Sequence, residues 1–195
     1  MLACLWVAVD FDGRCYVYRE VQQPGLIVSE AAKLILSLTP EHEHIEFTIA
    51  PPDMWNRQKD SGKNMAELFA QNGVGVVRAS NNRIQGWMAL KEMLKPMKGE
   101  KDRPGMLVTR ECKALIRNIQ LIQHDEKNVS DCATEPHNIT HICDAARYFA
   151  ITRTLGAELP TEPEDDILLS GGAADYDEEM TGGDMDDSYL NFGGG

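Results

Sequence analysis

Two acids in this chain stand where chemistry is commonly done. Asp53 follows the run IEFTIA, which reads as a short buried strand stopped by Pro51 and Pro52, so it is delivered into a loop at a strand end, where α/β folds place their ligand sites. Asp144 lies in HICDAARYFA, residues 141–150. Read as a helix at about 100° per residue, His141, Asp144 and Tyr148 fall within roughly 60° of one another, beside an apolar arc of Ile142, Ala146, Phe149 and Ala150. Carboxylates at a strand end and on a helix of the same layer are what a two-Mg2+ phosphodiester hydrolase requires, because hard cations take oxygen ligands and several negative charges must neutralise them. Two carboxylates can hold a metal, but not comfortably. The plainer reading is that Asp144 pairs with Arg147 one turn later, an exposed helix pair contributing roughly 0.2–0.5 kcal/mol.

A second set of donors is Cys132, His137, His141 and Cys143, spaced C-x4-H-x3-H-x-C. These are zinc-type ligands, yet on one helix His141 and Cys143 lie about 160° apart and do not converge on a tetrahedral ion. The five cysteines are odd in number and scattered, and with no export signal in view they are expected to be free thiols. A zinc protein is a third, subordinate reading.

The elements that must position these groups are legible from patterning. LACLWVAVDFDGRCYVYREV reads as a β-hairpin about a D-G turn. Ser29 is the expected cap of a helix running through Leu38, with Ala31, Leu34, Ile35 and Leu38 on its buried face. After the strand ending at Ala50 come a helix from Asn64 to Gln71, a strand VGVVRA, a helix from Arg83 to Leu94 and a basic Gly/Pro-containing loop from Lys95 to Gly105. A strand MLVT, a helix from Glu111 to Gln123 and a closing helix near Ile139 to Thr152 complete the order. A hairpin succeeded by alternating strands and helices implies a mixed α/β sheet with helices packed on it.

Charge divides the chain. Of its 31 acids, 12 fall from Leu155 onward, where there is no Lys or Arg, which leaves 19 acids against 19 basic residues in residues 1–154. We therefore expect a neutral folded domain over 1–154 and an acidic, disordered tail over 155–195 whose last residues, DDSYLNFGGG, keep enough apolar character to dock on a partner. Within the domain, residues 57–117 hold 13 basic and 6 acidic residues, a pattern compatible with a polyanion, although most such runs are solvated faces. The apolar opening is too short to span a membrane and lacks the basic lead of a signal peptide.

The segments YVYREV, APPDMW, SNNRIQGWMAL, RECKALIRNIQLIQHDEKNVSD and HICDAARY, in that order, resemble the nuclease domain of phage terminase large subunits, over about residues 5 to 153. The resemblance implies a ribonuclease H-like fold and acids binding two Mg2+ or Mn2+ ions for cleavage of concatemeric DNA. It implies double-stranded DNA, the terminase ATPase portion, the small subunit and the portal as partners, and the cytoplasm of a bacterial host as location. Asp53 then matches the family's second metal-binding acid and Asp144 its last. His141 falls on an H-x-x-D pattern as a phosphate-facing or supporting group, and Asp131 lies in the acidic segment before the last helix. Arg83, Gly86 and Trp87 match a segment expected to pack, with Arg83 a candidate for facing phosphate and Trp87 a core residue. The family's first essential Asp lies ahead of the hairpin, in a place these 195 residues do not include. Asp10 and Asp12, in the turn, are roughly 20 Å from it at ~3.3 Å per strand residue. Glu20, at the far end of the returning strand, is nearer the expected site, but a strand-edge surface charge explains it equally well. No G-x-x-x-x-G-K-[ST] sequence is present, so an ATP-driven motor is not expected here. A fragment, a split gene or a misassigned start each accounts for this.

The sequence supports two readings. In one, the chain is a metal-dependent endonuclease domain. In the other, the fold persists with an incomplete acid set, and the domain is a non-catalytic module contacting DNA or a packaging-motor partner.

Overall fold

The computed structural model describes residues 1–57, 62–96 and 103–155. The expected disordered tail, and part of the basic loop from Lys95 to Gly105, lie outside the described residues. The chain divides into a unit spanning Met1–Pro160 and a second, Thr161–Gly195, that is also outside them. Every described element belongs to the first unit.

The hairpin forms as read. β1 (Leu2–Val9) and β2 (Cys15–Gln23) pair antiparallel about the turn at residues 10–14, with a bulge between Trp6 and Val7. Asp10 builds that turn: its carboxylate accepts the amides of Asp12 and Arg14 and the Tyr16 hydroxyl, while Gly13 supplies the positive φ of 80° that the reversal needs. Burial raises the Asp10 carboxyl, and these donors outweigh it and hold it below its ordinary value.

The helix after the hairpin, α1 (Val28–Ser37), begins one residue before the expected cap. Ser29 lies inside its first turn. The Glu30 carboxylate reaches back to the Ile27 amide, at 3.2 Å, and so satisfies the helix start without a serine. Trp6 then donates its indole N–H to Thr39 Oγ1 at 2.9 Å, tying β1 to the chain leaving α1.

The strand expected over IEFTIA shrinks to β3 (Ile49–Ala50), which pairs in parallel with β4 (Val77–Arg78), itself shorter than VGVVRA suggested. Residues 45–48 find no ladder partner, and Ile45 and Phe47 are 41% and 50% exposed rather than buried. A 3-10 turn over Pro52–Trp55 comes directly after β3. Next, α2 (Met65–Gln71) starts on a capping box in which Asn64 accepts from the Glu67 amide and Glu67 accepts from the Asn64 amide. The remaining elements are α3 (Arg83–Leu94), β5 (Met106–Val108), α4 (Lys113–Leu121) and α5 (His137–Leu155), the last starting two residues before the expected Ile139.

The fold is mixed α/β. β5 runs parallel to β2, giving a three-stranded sheet in the order β1-β2-β5, and β3-β4 form a separate two-stranded sheet. The main core lies between the larger sheet and helices α3, α4 and α5, around Val17, Met106, Leu115, Ile142 and Ala146. A smaller core joins α1 and α2 through Ala31, Ala32, Phe69 and Val74. Among the described residues, no helix is long and apolar enough to cross a membrane.

Candidate functional site

A groove of about 1220 Å³ runs between β1 and the segment leading into β3. Asp53, His141, Asp144 and Tyr148 all line it, so the structure brings to one surface the two acids that lie 91 positions apart in the chain. Helical spacing explains three of the four: residues i, i+3 and i+7 of α5 share one face. Asp53 arrives separately, on the exposed 3-10 turn that Pro51 and Pro52 force immediately after β3. Arg78 and Asn81, which no sequence pattern singled out, line the groove too, and the Arg78 guanidinium lies 5.9 Å from the centre of the Trp55 ring.

Asp144 is not the partner in an exposed helix pair. Its Oδ1 accepts from Arg147 Nε at 2.7 Å and from Arg83 Nη1 at 3.2 Å. Arg147 is fully buried, its guanidinium 4.0 Å from the centre of the Tyr148 ring and 5.6 Å from that of Trp87. Exposed-pair energetics therefore do not apply. Removing one partner of a buried ion pair leaves an uncompensated charge. The sequence contained one signal for this: a glycine in the middle of α3, at position 86, marks a place where another element comes close.

Arg83 is likewise occupied. Its Nε donates to Asp131 Oδ2 at 2.9 Å and its Nη2 to the Cys132 carbonyl at 3.1 Å, so its guanidinium ties the loop before α5 to α5 itself and does not stand free for phosphate. Asp131 belongs to the same knot, accepting also from Trp87 Nε1 at 3.0 Å and from the Cys132 amide at 2.7 Å. Burial raises the Asp131 carboxyl, but Arg83, the Cys132 amide and Trp87 outweigh it and hold the group below its ordinary range. Trp87 packs against the main core, as its amphipathic setting suggested.

Glu20 is placed elsewhere. Its two oxygens accept the amides of Ala114 and Leu115, at 2.6 and 2.8 Å, in the first turn of α4. A carboxylate there satisfies two orphan donors and meets the positive end of the helix dipole. It is absent from the groove lining.

His141 sits in the groove with His137 one turn away, the rings 5.0 Å apart and edge to face. Burial lowers its pKa, as do His137 and the amino group of Met1, while Asp144 and Asp53 pull the other way and lose. The ring is thus a neutral donor or acceptor at pH 7. Cys143 is buried behind it, its thiol pushed up to about 12 by desolvation first, then by Asp144, so it is no thiolate ligand at neutral pH.

Asp53 and Asp144 are oxygen donors of the kind Mg2+ or Mn2+ accepts. Among the described residues, however, no three His, Cys, Asp or Glu side chains gather as a metal site. The pair fits part of a site for one hard cation and does not make a two-ion centre. No family model, curated protein or solved structure matches the chain.

Proposed function

We propose that the chain is the nuclease domain of a DNA-packaging terminase large subunit, a ribonuclease H-like, metal-dependent endonuclease module acting on concatemeric phage DNA in the cytoplasm of a bacterial host. The observation that carries this reading is the meeting of Asp53, His141 and Asp144 on one groove. On this reading Asp53 and Asp144 hold a Mg2+ or Mn2+ ion, whose charge offsets the negative charge that develops on a phosphodiester under attack. Neutral His141 hydrogen-bonds a phosphate oxygen or water, and Arg78 meets the DNA backbone. The remaining ligands come from outside the described residues. The ATPase portion of a terminase, its small subunit and the portal are the partners this assignment brings with it.

One specific observation favours a second reading, a non-catalytic module that contacts DNA or the motor: Asp144 Oδ1 is already shared by two guanidinium groups and, among the described residues, no third carboxylate joins the pair. Two measurements on the full chain decide. Calorimetric titration with Mn2+ should give binding that is lost in Asp53→Ala and in Asp144→Asn, and Mn2+-dependent nicking of supercoiled plasmid should disappear with it. Binding without nicking supports the module; cutting that survives both substitutions removes this site from consideration.

A further inference from the structure

β1 has the wrong sequence for the place it occupies. LACLWVAV is apolar at every position, the pattern of a strand covered on both faces, whereas strands at the rim of a sheet are normally short, charged or bulged away from pairing. Yet β1 is the last strand of its sheet, and Trp6 is its one buried residue. The whole of residues 1–9 lines the groove. Facing them is the segment that ends in β3, which pairs with β4 alone.

The layers on either side do not stop at this gap. α5 packs against both β1 and β3, so it passes behind the groove and bridges the two sheets. Val28, Ala31 and Ile35 of α1 close the groove as well. The result is a helical covering with its central layer interrupted, and a space larger than the roughly 300–1,000 Å³ that serves a small molecule. The backbone N–H and C=O groups along an apolar-walled edge need partners. Among the described residues, no strand supplies them.

We propose that the groove accepts one extended strand from another polypeptide, which pairs with the free edges of β1 and β3 and joins the two sheets into one. The chemistry of this donor is set by its surroundings. It is apolar on both faces, because helices lie on both sides, and six to eight residues long, because the eight residues of β1 span about 26 Å. A second copy of this chain is a poor donor, since its β1 is already paired with β2 and could satisfy one edge while leaving the other open. The residues after Leu155 are poor donors too: their 12 acids suit water better than a two-sided apolar slot, and the acid-free runs 167–174 and 188–195 carry adjacent glycines. The proposal is independent of the nuclease reading, since a chain can take a strand and cut nothing.

The test is a strand fused to the full chain. The Met1 amino group acts on His141, so β1 starts at the Asp144 end of the groove, and a donor joined ahead of Met1 can fold back along β1. The sequence Val-Ile-Val-Thr-Val-Ile-Asn-Gly placed before Met1 provides the strand and a two-residue turn. A control carries Pro at alternate strand positions and cannot pair. The expected result is a Tm at least about 5 °C higher than that of the control. Amide exchange along β1 should also slow by roughly tenfold or more, in a chain that stays monomeric. An unchanged Tm with unchanged exchange overturns the proposal. So does protection of β1 already present in the unfused chain, whether lost on dilution, which assigns the groove to a second copy, or lost when Leu168, Leu169, Leu190 and Phe192 are replaced by Ser, which assigns it to the chain's own residues.

Discussion

A Cβ built on Gly86 of α3 would lie 2.7 Å from Cγ of Arg147 on α5, closer than side-chain atoms approach one another. The two helices meet at this point, and the glycine is what lets a fully buried arginine lie between them. Gly86→Ala gains up to ~1 kcal/mol of helix propensity but overpacks a side chain held between Tyr148 and Trp87, which costs about 1–3 kcal/mol. We expect net destabilisation of roughly 1–2 kcal/mol, read as a lower urea midpoint at unchanged m.

The two acids of the groove should behave differently when removed. Asp53 is exposed, so Asp53→Ala should change stability by less than about 0.5 kcal/mol. Asp144→Ala leaves the Arg147 charge buried without its carboxylate, and Nη1 and Nη2 of Arg147 already lack partners, so a loss of about 3–5 kcal/mol is expected. Asp144→Asn keeps an acceptor for Arg147 and should lose less than the Ala variant. Denaturant unfolding of the three variants checks the order, and an Asp53→Ala loss as large as that of Asp144→Ala would contradict it.

Acid should act in two steps with named causes. His141 has a folded pKa below its ordinary 6.5, so the unfolded chain takes up the proton first, and its contribution to stability falls as pH drops below about 6.5 through the folded value. Asp131 has a folded pKa below its ordinary 3.8; its contribution is intact above that value and is lost as pH falls further, through the folded pKa. Thermal unfolding from pH 8 to pH 2 should show a shallower upper step in His141→Gln and a shallower lower step in Asp131→Asn.

Glu20→Ala tests whether that carboxylate is structural. Losing both contacts to the start of α4 should cost about 1–2 kcal/mol, in the range of a deleted helix cap. Mn2+ affinity should stay at the parent value, since Glu20 is no part of the groove. A variant as stable as the parent but weaker in Mn2+ binding would return Glu20 to the metal site.

What the sequence determined on its own is local. Apolar spacing placed α3 at its observed bounds and put His141, Asp144 and Tyr148 on one face of α5, because a helix imposes its period on neighbouring residues wherever it packs. The D-G turn placed the hairpin, because backbone chirality at Gly13 needs no distant contact. Only the tertiary structure decided which charges meet. The pairing of Arg83 with Asp131 and Asp144, and of Glu20 with the amides of α4, joins residues 48 to 95 positions apart, and no periodicity specifies such partners. The burial of Arg147 and the division of the strands into two sheets were settled in the same way. Both depend on how much space separate elements leave between them, which is fixed when the layers pack and not while any one of them forms.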